Sequence, residues 1–214
     1  KYRERGIWGL DGYQAEFADA IVKQSCGVGE YGCAESHAYS FARLAYVSSW
    51  LKCHEPAIFV AALLNSQPMG FYAPSQLVQD AKRHGVEVRA VDVSASDWDC
   101  SLERRSDGGA QPAIRLGLRL ASGFAQAVAE RLVQARRISA FASVDDLARR
   151  AQLDAHALQL LAGADALCAI TGHRRQAAWA VAGVDTRPTP MLRDTRTHEA
   201  PVTLPAAGQA HETL

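Results

Sequence analysis

Residues Gly123-Phe124-Ala125, flanked by apolar positions in the run Leu118–Val133 (LRLASGFAQAVAERLV), have the types and spacing of a phosphate-binding turn. Glycine supplies the positive φ that a tight turn needs. The helix predicted to follow opens with backbone N–H groups that have no carbonyl partner. Those donors, with the positive end of the helix dipole, suit an anion such as a DNA phosphate. Contacts of this kind hold the nucleic-acid backbone and carry little base sequence information. Arg131, Arg136 and Arg137 lie in the same predicted helix, where planar guanidinium groups can donate paired hydrogen bonds to phosphate.

The pattern resembles the second half of a helix-hairpin-helix motif, a device that grips DNA from the minor-groove side. A weaker second copy lies in Leu158–Leu167 (LQLLAGADAL), with Gly163-Ala164 at its turn. Two departures are visible. Ala125 stands where the usual second glycine would be, and the second copy is degenerate. An ordinary helix start is the competing reading of the first copy, and structural support that of the second.

Other chemistry-bearing residues read differently. Asp97-Trp98-Asp99 has the look of a metal-binding pair, and Asp145-Asp146 follows Ser143. The second pair is better explained as a helix start, since acids in a first turn complement the dipole. Neither is taken as a metal site. The five cysteines, Cys26, Cys33, Cys53, Cys100 and Cys168, are odd in number and include no CxxC pair. A disulfide framework and a structural zinc site are both disfavoured, which leaves buried or half-buried thiols in a reducing compartment.

The elements that must position these residues are mostly helical. Residues 14–24 predict an amphipathic helix that stops at the glycine-rich turn Gly27-Val28-Gly29-Glu30-Tyr31-Gly32. Ser36 reads as the cap of a second helix with an apolar stripe at Phe41, Leu44, Ala45, Ser48 and Leu51. Pro56 opens a third helix, apolar nearly all round and therefore expected in the core. Pro74–His84 predicts a fourth, ended by Gly85. Val86, Val88, Val91 and Val93 predict extended chain. Ile114, Leu116, Leu118 and Leu120 alternate with polar or small residues, which predicts a strand through 120. Helices are expected from Ser122-Gly123 to Arg137, from Ser143, over 154–161 and over 173–182. Half of the 8 prolines fall after Asp185, so 185–214 reads as a flexible linker or disordered tail.

The net charge of zero conceals an asymmetry. Residues 1–112 carry 11 basic and 14 acidic side chains, whereas residues 113–183 carry 9 and 5. All nine basic residues of that middle block are arginine, which favours a nucleic-acid partner modestly. No run approaches the roughly 20 apolar residues of a membrane span, and no signal-peptide pattern opens the chain. A cytoplasmic protein with no membrane partner is expected. The first residue is not methionine, which fits an excised piece.

Residues 26–69 (CGVGEYGCAESHAYSFARLAYVSSWLKCHEPAIFVAALLNSQPM) resemble the fingers region of bacterial C-family DNA polymerases, the replicative alpha-subunit family. Asn65-Ser66-Gln67-Pro68-Met69-Gly70-Phe71-Tyr72, then Arg83-His84-Gly85-Val86-Glu87-Val88 and Ser96-Asp97-Trp98-Asp99-Cys100, look like the error-prone, ImuC-type paralogue. The segment Ala113–Val181 resembles the helix-hairpin-helix region that follows the fingers. Cys26 departs from the family by standing where lysine is usual, and Arg43 occupies a usually apolar position.

The resemblance implies a mainly α fold: a helical fingers subdomain over 1–112, a tandem helix-hairpin-helix region over 113–183, a small β element at 86–120, and a tail over 184–214. It implies nucleotide and template positioning by Gly27, Gly29, Glu30, Tyr31, Ser36, His37 and Lys52, and DNA binding by Gly123, Phe124, Ala125, Arg131, Arg136 and Arg137. His37 would either touch nucleotide phosphate or serve as a structural histidine. Lys52 would be a phosphate contact or a solvated lysine. In this family the catalytic aspartates lie upstream, so the piece is expected to hold no cofactor and to be inactive alone, with Mg²⁺ serving the full polymerase. Implied partners are primer–template DNA, a deoxynucleoside triphosphate in the full enzyme, and translesion accessory proteins and the sliding clamp through other domains. The alternative is a helix-hairpin-helix DNA-binding or protein-interaction module from another repair protein.

Overall fold

The computed structural model describes residues 15–30, 34–70, 72–105, 107–184 and 202–206. The chain divides into two compact units, Lys1–Trp50 and Leu51–Leu214. In the first unit, helix α1 (Ala15–Glu30) does not stop at the glycine-rich segment as expected but runs through Gly27, Val28 and Gly29. A Cβ added at Gly27 would meet nothing, so neither strain nor a close approach demands glycine there. One glycine costs a helix only about 1 kcal/mol, too little to end it. Helix α2 (Ala34–His54) begins two residues ahead of Ser36, which therefore lies inside the first turn rather than at the cap. Phe41 and Leu44 of its expected core stripe are exposed, at 58% and 62%.

The second unit carries the sheet and the remaining helices. Helix α3 (Pro56–Asn65) has proline in its first turn and buries Ala57, Val60, Ala61 and Leu64, while Ile58 faces solvent. Helix α4 (Pro74–Arg83) ends where Gly85 takes φ +76° and Val86 N–H donates to Ala81 O at 3.0 Å. That 6→1 bond closes a glycine-terminated cap and tucks Val86 into the core.

Strands β1 (Val88–Arg89), β2 (Ser101–Glu103) and β3 (Ala113–Arg115) form one sheet in the order β1-β3-β2. β1 runs parallel to β3 with Val88 opposite Ile114; β2 runs antiparallel with Leu102 opposite Ile114. Two arginines bind one carboxylate across the sheet. Arg115 and Arg89 both donate to Glu103, and they hold that carboxyl below its ordinary range, Arg115 contributing most.

The predicted strand does not continue to 120. Leu118–Leu120 form a 3₁₀ turn. Gly117 lies so close to the preceding loop that a Cβ would come within 2.4 Å of Trp98 O. Leu118 and Arg119 N–H then bond Asp97 O and Trp98 O at 2.8 and 3.1 Å, so the backbone leaves the ladder for a loop partner.

Helices α5 (Gln126–Ile138), α6 (Val144–Ala151), α7 (Ala155–Gly163), α8 (Cys168–Thr171) and α9 (Arg174–Gly183) complete the unit. The short α8 had no counterpart among the sequence expectations. Ser143 caps α6 as expected, accepting from Asp146 N–H at 3.1 Å. Asp154 caps α7 in the same way at 2.7 Å.

One apolar cluster gathers Ala57, Leu64, Ala81, Val86 and Ile114 around α3. A larger one gathers Leu118, Phe124, Leu132, Leu147, Leu158 and Leu167 among the later helices. Leu116 packs against both. Cys100 is buried, which pushes its thiol pKa up, but Cys26 and Cys53 are exposed, against the expectation of sequestered thiols. Cys33 lies outside the described residues. Of the expected tail, Val202–Ala206 is held against α9, by polar contacts that composition alone does not register.

Candidate nucleic-acid interface

The structure builds the predicted turn. Gly123 takes φ +80° and its Cβ would meet only the Leu160 methyls, at 3.6 and 3.9 Å. Backbone conformation, not crowding, is therefore what requires glycine there. Phe124 turns inward, 6% exposed, and anchors the turn in the larger core. Its N–H donates to Ala121 O at 3.0 Å. Ala125 stands at the N-cap of α5 with no capping side chain, and the first turn holds no acid. Ser122, Gly123, Ala125, Gln126 and Ala127 are all exposed. The Gln126 and Ala127 N–H groups thus sit at exposed positions with no capping side chain competing for them, while Val128 N–H donates to Ala125 O at 3.1 Å.

The arginines near this turn differ in how far they are engaged within the chain. Arg131 directs Nε and one terminal nitrogen to Ala151 O and Gln152 O, both at 3.3 Å, so it caps the end of α6. Arg136 donates to Val93 O at 3.1 Å, to Ser96 O at 2.7 Å and to Asp97 Oδ1 at 2.6 Å. Arg150 bonds Ala135 O in the last turn of α5 and Ser139 O just beyond it, and lies 4.9 Å over the Phe141 ring. Arg149 and Arg150 also pair with Asp146. Burial alone would raise that carboxyl, but the Ala142 N–H and the two arginines outweigh it and leave it lowered. Arg115, Arg119 and Arg174 are likewise bonded within the chain. Arg137 and Arg175 are exposed and show no partner among the described residues. Arg137 lines a shallow hollow with Asp97, Trp98 and Asp99.

The acidic pairs are engaged as well. Asp97 pairs with Arg136 and Asp99 with Arg119, each at 2.6 Å. Among the described residues no group of three His, Cys, Asp or Glu side chains is placed to hold a metal ion.

The second hairpin is displaced from its expected turn. Gly163 is the last residue of α7, and a Cβ there would meet nothing. The left-handed residue nearby is Asp165, at φ 59°. A positive-φ glycine ahead of a helix recurs instead at Gly172, φ +85°, between α8 and α9. There His173 caps the helix with its own side chain, accepting from Gln176 N–H. Sequence could have flagged it, since a glycine precedes a polar residue and a helical run. The Gly163-Ala164 pair matches the motif's residue types, but Gly163 ends α7 in open space.

The residues carried over for nucleotide positioning fall in both units. Gly27, Gly29 and Glu30 lie in the last turns of α1, and Ser36 in the first turn of α2. Tyr31 lies outside the described residues. His37 is exposed, with its ring 4.5 Å from that of Phe41 at 57°. Lys52, in the second unit, pairs with Asp80 at 2.9 Å and holds that carboxyl below its usual range.

No described helix is long and apolar enough to cross a membrane. A family described as "Helix-hairpin-helix motif" matches residues 85–177. The chain is 52% identical over 219 residues to a protein of Methylococcus capsulatus named error-prone DNA polymerase, an alignment covering 95% of the chain and 21% of that protein. Proteins of the same name from Azoarcus sp. and Pseudomonas aeruginosa are 56% and 53% identical, over 95% and 100% of the chain and 19% and 21% of their own lengths. The chain therefore spans about a fifth of the length of these relatives.

Proposed function

We propose, from the premise that this chain is a relative of the error-prone DNA polymerases and carries a helix-hairpin-helix motif, that it is the DNA- and nucleotide-positioning part of such a polymerase. Residues 1–112 act as fingers, 113–183 as the DNA-binding hairpin region and 184–214 as linker. The polymerase works in translesion synthesis in the cytoplasm, with primer–template duplex, a deoxynucleoside triphosphate, a sliding clamp and accessory proteins as its partners. Nucleotidyl transfer uses two divalent metals, Mg²⁺ in the full protein, held by clustered carboxylates. Asp97, Asp99 and Asp146 do not fit that role, because each is committed to arginine, and among the described residues no group of three His, Cys, Asp or Glu could hold a metal ion. The chain alone is expected to be inactive. Primer extension by the purified chain with Mg²⁺ would overturn this part.

The observation that carries the DNA-binding reading is the open first turn of α5 behind Gly123. Backbone donors and the helix dipole converge on a surface that a phosphate can reach. Labelled primer–template DNA, followed by fluorescence anisotropy across a salt series, tests it beside Gly123→Asp and Gly123→Asn. Both variants place a side chain in the left-handed region that Asn and Asp tolerate best, but only Asp adds a charge. Steep salt dependence, lost in the Asp variant and retained with Asn, is expected. A second reading has support from the arginines. Those committed to carbonyls inside the fold leave few for phosphate, as in a region that packs against protein. Absence of DNA binding at low salt by the parent chain favours that reading.

A further inference from the structure

We propose that the first turn of α9 is a strand-docking site for an extended peptide and that residues 202–206 of this chain are its occupant. Gln176 uses both ends of its amide on that segment. Its Nε2 donates to Val202 O at 2.8 Å, and its Oε1 accepts from Leu204 N–H at 2.9 Å. A carbonyl and an N–H two residues apart are the groups one edge of a strand presents to a neighbour. The Gln176 side chain thus stands in for a partner strand. His173 completes the site. Its Nδ1 accepts from Gln176 N–H at 3.2 Å, so its Nε2 carries the proton and donates to Leu204 O at 3.1 Å. One imidazole therefore caps α9 and holds the peptide.

The occupant suits the site. Leu204 is half-buried, whereas Val202, Thr203, Pro205 and Ala206 are exposed. Pro205 has no N–H to satisfy and biases Leu204 towards extended backbone, which pre-orders the docked shape. Recognition runs mainly through the backbone with one apolar anchor, the logic of β-strand addition. Being on the same chain raises the effective concentration of the peptide at the site. The consequence is positional: chain beyond Ala206 starts from the α9 face. This inference does not rest on the polymerase reading.

Amide hydrogen exchange on the 214-residue chain tests the dock. The Leu204 amide is expected to exchange at least tenfold more slowly than an unstructured peptide. Gln176→Ala is expected to abolish that protection, while the amides of α5 to α7 keep theirs. His173→Asn retains a good helix cap but cannot reach Leu204, so α9 stays protected while Leu204 protection falls. Free exchange of Leu204 in the parent chain overturns the proposal, as does protection that survives Gln176→Ala. Protection that rises with protein concentration overturns the intramolecular occupant in favour of a second copy.

Discussion

Asn65 pairs edge to edge with the peptide of Cys100: its Nδ2 donates to Cys100 O at 2.9 Å and its Oδ1 accepts from Cys100 N–H at 2.7 Å. The last residue of α3 is thereby stitched to the residue just before β2. Arg119 extends the junction, donating to Asn65 O at 2.6 Å and to Gln67 O at 2.9 Å. The end of α3 is fixed to the segment around Cys100 by side-chain amide and guanidinium bonds in addition to the apolar cluster that holds Leu64 and Cys100.

Asn65→Ala should lower stability by about 2 kcal/mol, because two part-buried backbone groups lose partners at once. Asn65→Asp keeps the acceptor and loses the donor, so an intermediate loss is expected above pH 5. Urea unfolding of the two variants beside the parent checks the order.

Glu103→Gln should cost about 1–2 kcal/mol at pH 7, since Arg115 and Arg89 lose their shared charge in a half-buried setting. The sign of the pH dependence follows from the lowered carboxyl. A depressed pKa contributes stability above the ordinary glutamate value and loses it as pH falls through the folded one. The gap between parent and variant should therefore be full at pH 7 and shrink as pH falls below the ordinary glutamate value. A gap that does not change with pH would count against the ion pair.

Gly117→Ala and Gly27→Ala should act in opposite directions. The first places a Cβ within 2.4 Å of Trp98 O and Asp99 C, backbone atoms that cannot swing aside. A loss of several kcal/mol, or failure to fold, is expected. The second adds a methyl in open space on α1 and should stabilise that helix by roughly 0.5–1 kcal/mol. Thermal melts and helical circular dichroism distinguish them.

Arg137→Ala and Arg131→Ala should separate DNA contact from structural support. Arg137 is exposed with no partner among the described residues. Its loss should leave the melting temperature alone, weaken DNA binding and reduce the salt slope by about 1. Arg131 caps α6, so its loss should lower stability by about 1 kcal/mol and change the salt slope little.

The sequence by itself determined what depends on neighbours along the chain. Pro56 and Ser143 start helices, Gly85 ends one and Gly123 makes a positive-φ turn, because caps and turns are settled within a few residues. The burial of α3 follows from its apolar run, which includes Val60 and Leu64. Tertiary structure decided what depends on distant partners. Leu118–Leu120 read as a strand until the Asp97 and Trp98 carbonyls drew the backbone into a 3₁₀ turn. The bonds of Arg131 to Gln152 O and of Arg136 to Ser96 O were not legible in the sequence, because those carbonyls lie far along the chain. Val202–Leu204 read as free tail until Gln176 met it. Local geometry is a property of a few adjacent residues, whereas the choice of partner for a polar group is made only when remote segments meet.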